Sequence, residues 1–241
     1  MMNLAGHQNG QTDRTKKKAS VLTRLPLFLR TLLRRRKSLV VFTLAILAGF
    51  TQACAPQLSP QDACNFVMSG DSQRVSWGPA TPVVLYVDSS VPSEFYGAIQ
   101  AAVVTWNQSL GREVLKIGGW TNSYPSERQD GVNVIYFNRK WPETQKRKQA
   151  VTTIWWAGDR VYEADISVNG NASHYEYFWG SNVVPGRVDF ESLILHELGH
   201  VLGLEHPHVE AQGTVMAREL QNGHLRRTPT PSDVADLKCE Y

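Results

Sequence analysis

Short apolar runs, rich in β-branched and aromatic residues, recur at Thr81–Asp88 (TPVVLYVD), Val114–Ile117, Val132–Phe137, Val151–Trp156 and Val161–Val168. Their length and spacing predict five strands. Between the first two the period lengthens: Phe95, Ile99, Ala102, Val103, Trp106 and Leu110 fall on one stripe, and Gly111 supplies a stop, so a helix is predicted over Ser93–Leu110. A second helix is predicted through Leu193-Ile194-Leu195, with Asp189 placed to cap its free amides and Glu191 favourable against its dipole. Pro231-Ser232 followed by Val234, Leu237 and Tyr241 predicts a last short helix. The order is β-α-β-β-β-β and then two helices, an α+β class, with no internal repeat.

Upstream of Thr81 the pattern changes. Residues 55 to 80 are rich in Gln, Ser, Pro and Asp and predict a tether and the entry to a domain. Before them, Leu39–Phe50 is a mostly apolar run preceded by Arg34-Arg35-Arg36-Lys37. It is too short to span a bilayer comfortably and fits the central region of a secretory signal. Thr51-Gln52-Ala53-Cys54 closes that run and resembles a bacterial lipobox, with Thr51 where Leu is usual. The resemblance implies a lipidated Cys54 as the mature N-terminus, anchored in a bacterial envelope membrane. The alternative is ordinary signal-peptidase cleavage after Ala55 and secretion, although that cut would leave Pro56 beside the scissile bond. The expected division is an export leader over 1–53, a tether over 54–73 and one folded domain over 74–241.

The formal charge of +3 conceals an asymmetry. Ten of the 25 Lys and Arg, but only Asp13 of the 22 acids, lie in residues 1–53, so the remainder holds 15 basic and 21 acidic groups and nets −6. A basic nucleic-acid surface is therefore not expected. With Cys54 lipidated, Cys64 and Cys239 remain near the two ends of the mature chain, in a compartment that permits oxidation, and a disulfide between them is the natural pairing.

The most informative chemistry is HELGHVLGLEH, which spaces His196, Glu197, His200, Gly203 and His206 as H-E-x-x-H-x-x-G-x-x-H. On a helix His196 and His200 stand one turn apart on one face, and both imidazoles can reach one metal ion while Glu197 points to its side. Gly203 can take a positive φ, ending the helix and turning the chain so that His206 approaches from a third direction. Three neutral imidazoles leave a fourth position for water, the arrangement of a catalytic zinc (Zn2+) site. His174, His208 and His224 lack this spacing and are expected to be solvated loop residues.

With Met216 following in Gly213-Thr214-Val215-Met216, the sequence resembles the metzincin zinc metalloproteases, and among them the matrixins in their short bacterial form. The resemblance runs over Arg74–Tyr241 and is most specific between Asp189 and Met216. It implies a metzincin (zincin-like) domain: a twisted, mixed five-stranded sheet with a long helix and an active-site helix. It also implies His196, His200 and His206 as ligands of one zinc ion, Glu197 as general base, Met216 as a floor beneath the ligands, and a peptide or protein substrate lying along an edge strand. Val151–Trp156 is the candidate edge, and Trp155 and Trp156 are candidate subsite or core residues.

Departures from the clan narrow the expectation. Ala217-Arg218 follow Met216, so the tyrosine ligand of astacins and serralysins is missing. Pro207 follows the third histidine without any Gly-rich calcium repeat, so calcium is unsupported. Arg139–Ala150 carries no His or Asp for a structural zinc, and Ala217–Thr230, the expected subsite wall, lacks a Pro-x-Tyr element. Two other functions compete with the endopeptidase: a catalytically silent envelope lipoprotein retaining the fold for binding or adhesion, and hydrolysis of a different amide. Glu197 argues against silence, since a structural zinc site needs no general base.

Overall fold

The five apolar runs form one mixed sheet from β1 (Val83–Asp88), β2 (Leu115–Thr121), β3 (Asn133–Asn138), β4 (Ala150–Ala157) and β5 (Arg160–Asn169). The computed structural model describes residues 3–4, 64–122, 126–208 and 213–241, so Cys54, nearly all of the expected leader and the tether up to residue 63 lie outside the described residues. Across the sheet the order is β4-β5-β3-β1-β2. All neighbours are parallel except β4 and β5, which pair antiparallel. Asn3–Leu4 adds a two-residue parallel ladder on the outer margin of β4, opposite Thr153 and Ile154.

Parallel neighbours need a crossover, and α1 (Tyr96–Leu110) provides it between β1 and β2. The predicted stripe is the buried one: Ile99, Ala102, Val103 and Trp106 face inward, and Phe95 is buried in the 3-10 turn just before the helix. Gly111 ends α1 at φ 68°. The second helix, α2 (Phe190–Val201), follows a short parallel ladder between β6 (Tyr177–Phe178) and β7 (Val188–Asp189). As expected, Asp189 caps it: its carboxylate accepts from the Ser192 amide at 3.0 Å. Nearly every residue of α2 is buried. Trp106 of α1 fixes the contact between the helices, because its indole N–H donates to the Leu195 carbonyl at 2.8 Å inside the core. The last helix is α3 (Pro231–Leu237). Among the described residues no helix is long and apolar enough to cross a membrane.

The opposite face of the sheet is polar at its centre. Asp165 on β5 accepts the Val134 and Arg128 amides, and Glu163 accepts those of Asp130 and Gly131, so both carboxylates hold the chain before β3 across this face. Desolvation pushes the Asp165 carboxyl up to about 7.

Residues 64 to 73, assigned by composition to the tether, begin the folded domain. Phe66 bridges to Leu204, and Phe66 and Val67 are both buried. The expected disulfide between Cys64 and Cys239 is present, with Cα atoms 6.7 Å apart across a separation of 175 residues. Neighbouring contacts reinforce it: Asn65 donates to Asp236, Arg74 pairs with Glu240, and the Tyr241 hydroxyl donates to the Leu202 carbonyl at the end of α2.

Closing so long a loop reduces the entropy of the unfolded chain, an effect worth about 5 kcal/mol in the chain-entropy model. The double variant Cys64→Ser/Cys239→Ser is therefore expected to melt at lower temperature while still binding one metal ion. Alkylation of the denatured protein, purified without reductant, should label neither cysteine. Quantitative labelling of both, or an unchanged melting temperature, would refute the stabilising bridge.

Candidate metal centre

The centre begins with the way α2 ends. Gly203 adopts φ 98°, its amide donates to the His200 carbonyl, and the Leu204 amide donates to the Gly199 carbonyl. These two bonds are a Schellman closure, which reverses the chain after the helix. A side chain is excluded at Gly203 on two counts: the positive φ, and the Val75 carbonyl oxygen, which would stand 2.4 Å from an added Cβ. The reversal brings the Leu204 carbonyl back over the helix, where it accepts from His200 Nδ1 at 2.7 Å. Two residues further on, His206 enters the same space.

The three imidazoles converge through Nε2. His200 Nε2 lies 3.1 Å and His206 Nε2 3.3 Å from His196 Nε2. All three histidines are buried. Desolvation pushes each imidazole down to about 3, so they are neutral at ordinary pH. A neutral imidazole carries one proton. In His196 that proton is on Nδ1, which lies 2.8 Å from the Val215 carbonyl, and in His200 it is on Nδ1 facing Leu204. A carbonyl can only accept, so both Nε2 atoms present lone pairs to each other. Such a pair, buried at 3.1 Å, repels unless a cation lies between them. Four-coordinate zinc with Zn–N bonds of about 2.0–2.1 Å would place adjacent nitrogens about 3.3 Å apart, so the spacing fits that ion.

The turn carrying Met216 does more than supply an apolar floor. Its Val215 carbonyl orients His196, and the turn is anchored in turn by Asp233 at the start of α3. Asp233 accepts from the Val215 amide at 3.1 Å, from the Thr214 hydroxyl, and from the amide and hydroxyl of Thr230 at 2.7 Å each. Met216 is buried with its Sδ against Gly199; a Cβ there would come within 2.4 Å of the sulfur. Gly199 is thus the residue that lets Met216 approach the helix beside the turn that carries His196 and His200.

A family model described as Matrixin matches residues 121–241. The chain belongs to the matrixin family. No curated protein matches it closely enough to suggest a more specific relationship. The matched region of this matrixin contains the three clustered histidines and the elements from β3 to α3.

Other residues singled out from the sequence fall in distinct places. Glu197 is buried beside the cluster, and Trp156 packs against the core. His208 and His224 are exposed. His174 is not a solvated loop residue as expected: its side chain is mostly covered and lies 3.2 Å from Glu143 and 3.4 Å from both Asn169 and Asn171. The Asn-rich turn at 169–171 closes around the ring, a local packing effect that histidine spacing does not report.

Three contributors escaped the sequence reading. Asp233 was legible only as part of a helix start, Thr230-x-x-Asp233, and its second role toward the Met216 turn is long-range. Arg226 organises the segment after Met216, donating to the carbonyls of Thr214, Ala217 and Glu219. Its own amide donates to Ser192 of α2 at 2.6 Å. In this matrixin an arginine therefore shapes the segment that lacks Pro-x-Tyr. Thr152 of β4 donates its hydroxyl to Glu197 Oε2 at 2.6 Å. Its one signal is a polar residue inside the apolar run VTTIWW.

His206→Ala is expected to weaken zinc binding by at least about a hundredfold, since it removes one of the three imidazoles that could hold the ion. Competition against a chromogenic chelator measures this directly. Zinc held at one equivalent with unchanged affinity would show that another group is the third ligand.

Proposed function

We propose that this chain is a zinc-dependent endopeptidase that hydrolyses peptide bonds in extended substrates. The observation that carries the reading is the facing pair of unprotonated imidazole nitrogens with the Glu197 carboxylate buried beside them. His196, His200 and His206 would hold the ion. When bound, zinc supplies Lewis acidity: it polarises a carbonyl and lowers the pKa of water to about 7. Glu197 accepts the proton of the water that attacks the scissile carbonyl carbon and returns it to the departing amine nitrogen as the C–N bond breaks. The matrixin family match supports the same chemistry.

Substrate would lie along the outer margin of β4, the strand that also carries Thr152. That margin offers backbone donors and acceptors, and the two-residue ladder with Asn3–Leu4 is in keeping with an extended segment lying there. Trp155, half-buried near this margin, is available to a substrate side chain.

Replacing the base while keeping the ligands separates chemistry from metal binding. Glu197→Gln is expected to retain one zinc and lose at least about a hundredfold in kcat on a peptide library read by mass spectrometry. Cleavage near the wild-type rate by that variant would remove the proposed mechanism.

The site of action is proposed from the N-terminal pattern: export directed by residues 1–53, lipidation at Cys54 and anchoring to a bacterial envelope membrane. A disulfide between Cys64 and Cys239 is in keeping with an oxidising compartment. Labelled palmitate should enter the wild-type protein and not Cys54→Ser. A soluble wild-type product beginning at Pro56 would instead make this a secreted protease.

A further inference from the structure

Thr152 has no exposed surface and sits in the middle of β4. Its ladder partner is Ile166, a core residue, whereas the neighbouring Thr153 pairs with Asp165 on the opposite face. Side chains alternate along a strand, so Thr152 is directed toward α2, where an apolar residue would ordinarily pack. A hydroxyl buried at such a position is costly unless it is hydrogen-bonded. Here Oγ1 lies 2.6 Å from Glu197 Oε2 and 3.3 Å from the Glu197 backbone carbonyl. The hydroxyl has one proton, and the shorter contact, to the carboxylate, takes it.

A glutamate's last torsion is broad and nearly two-fold, so a carboxylate on a helix can present either oxygen. A hydrogen bond from a neighbouring strand removes that freedom. We propose that Thr152 is a positioning residue for Glu197, occupying Oε2 so that Oε1 is the atom that receives and returns the proton. The inference rests on the peptidase reading for its kinetic consequence. Its structural content, a specific coupling between Thr152 and Glu197, does not depend on activity. It also ties the base to β4, the strand proposed to align the substrate, so that proton acceptor and scissile bond share one reference frame.

Two measurements test it. In the zinc-loaded protein, Thr152→Val is expected to lower kcat by about ten- to a hundredfold with KM within about twofold and zinc at one equivalent, and Thr152→Ser to restore most of the rate. In the metal-free protein, a thermal double-mutant cycle with Glu197→Leu should show coupling. Thr152→Val should lower the melting temperature by about 3–8 °C when Glu197 is present and by much less when it is absent. Unchanged kcat in Thr152→Val, equal losses in the Val and Ser variants, or a loss confined to KM would overturn the positioning role. Additive effects in the cycle would overturn the contact itself. If the zinc-loaded wild type cleaved no peptide, the peptidase reading would fail, and the cycle would still decide the coupling.

Discussion

Two imidazole nitrogens that cannot donate to each other, held 3.1 Å apart in the interior, are the constraint around which the rest of the structure is arranged. Such a pair is unfavourable in the bare protein, because each lone pair is stripped of water and faces another. The fold has to hold it by other means. It does so with two backbone carbonyls, Val215 for His196 and Leu204 for His200, each of which fixes a tautomer as well as a ring angle. Neither carbonyl carries a net charge, so the electrophilicity that a zinc ion would supply in the proposed reaction would be left for the substrate.

Each carbonyl depends on a separate piece of architecture. Leu204 is where it is because Gly203 reverses the chain, and Gly203 can do so because no Cβ meets the Val75 carbonyl. Val75 belongs to the segment that the disulfide and the contacts of Arg74 and Asn65 bind to the C-terminus. Val215 is held by Asp233, whose carboxylate also closes the capping box of α3. The centre thus draws on both ends of the described domain. Damage at Cys64 and Cys239 is expected to register first as lost stability and only indirectly at the metal.

How much of this was legible in the sequence follows from the range of each interaction. The strands, the stripe on α1, the Asp189 cap and the histidine spacing are local patterns that recur or close within about ten residues, and they correspond to observed elements. The reversal at Gly203 was legible for the same reason, since a positive φ is a property of one residue. By contrast, Thr152 and Glu197 are 45 positions apart, and Arg226 reaches α2 over 34. No period connects them, and each residue has an ordinary reading alone: a strand threonine, a loop arginine. The tether boundary differed because polar composition conceals the two apolar residues, Phe66 and Val67, that enter the core. His174 was hidden by a turn that forms only in three dimensions.

The placement of Glu197 follows from the same logic as the placement of the histidines. A carboxylate buried beside a divalent ion would be drawn toward the ion and become a ligand if it were free to turn. The sequence places Glu197 next to His196 on a helix, where it points to the side, but this alone leaves its carboxylate able to rotate. A neutral hydroxyl donor on the facing strand restrains it without adding charge, and Thr152 is the residue whose proton is in reach. His196 and His200 are restrained by neutral acceptors and Glu197 by a neutral donor. In the proposed reaction the charge would then be confined to the ion and Glu197, with protein dipoles fixing the geometry between them.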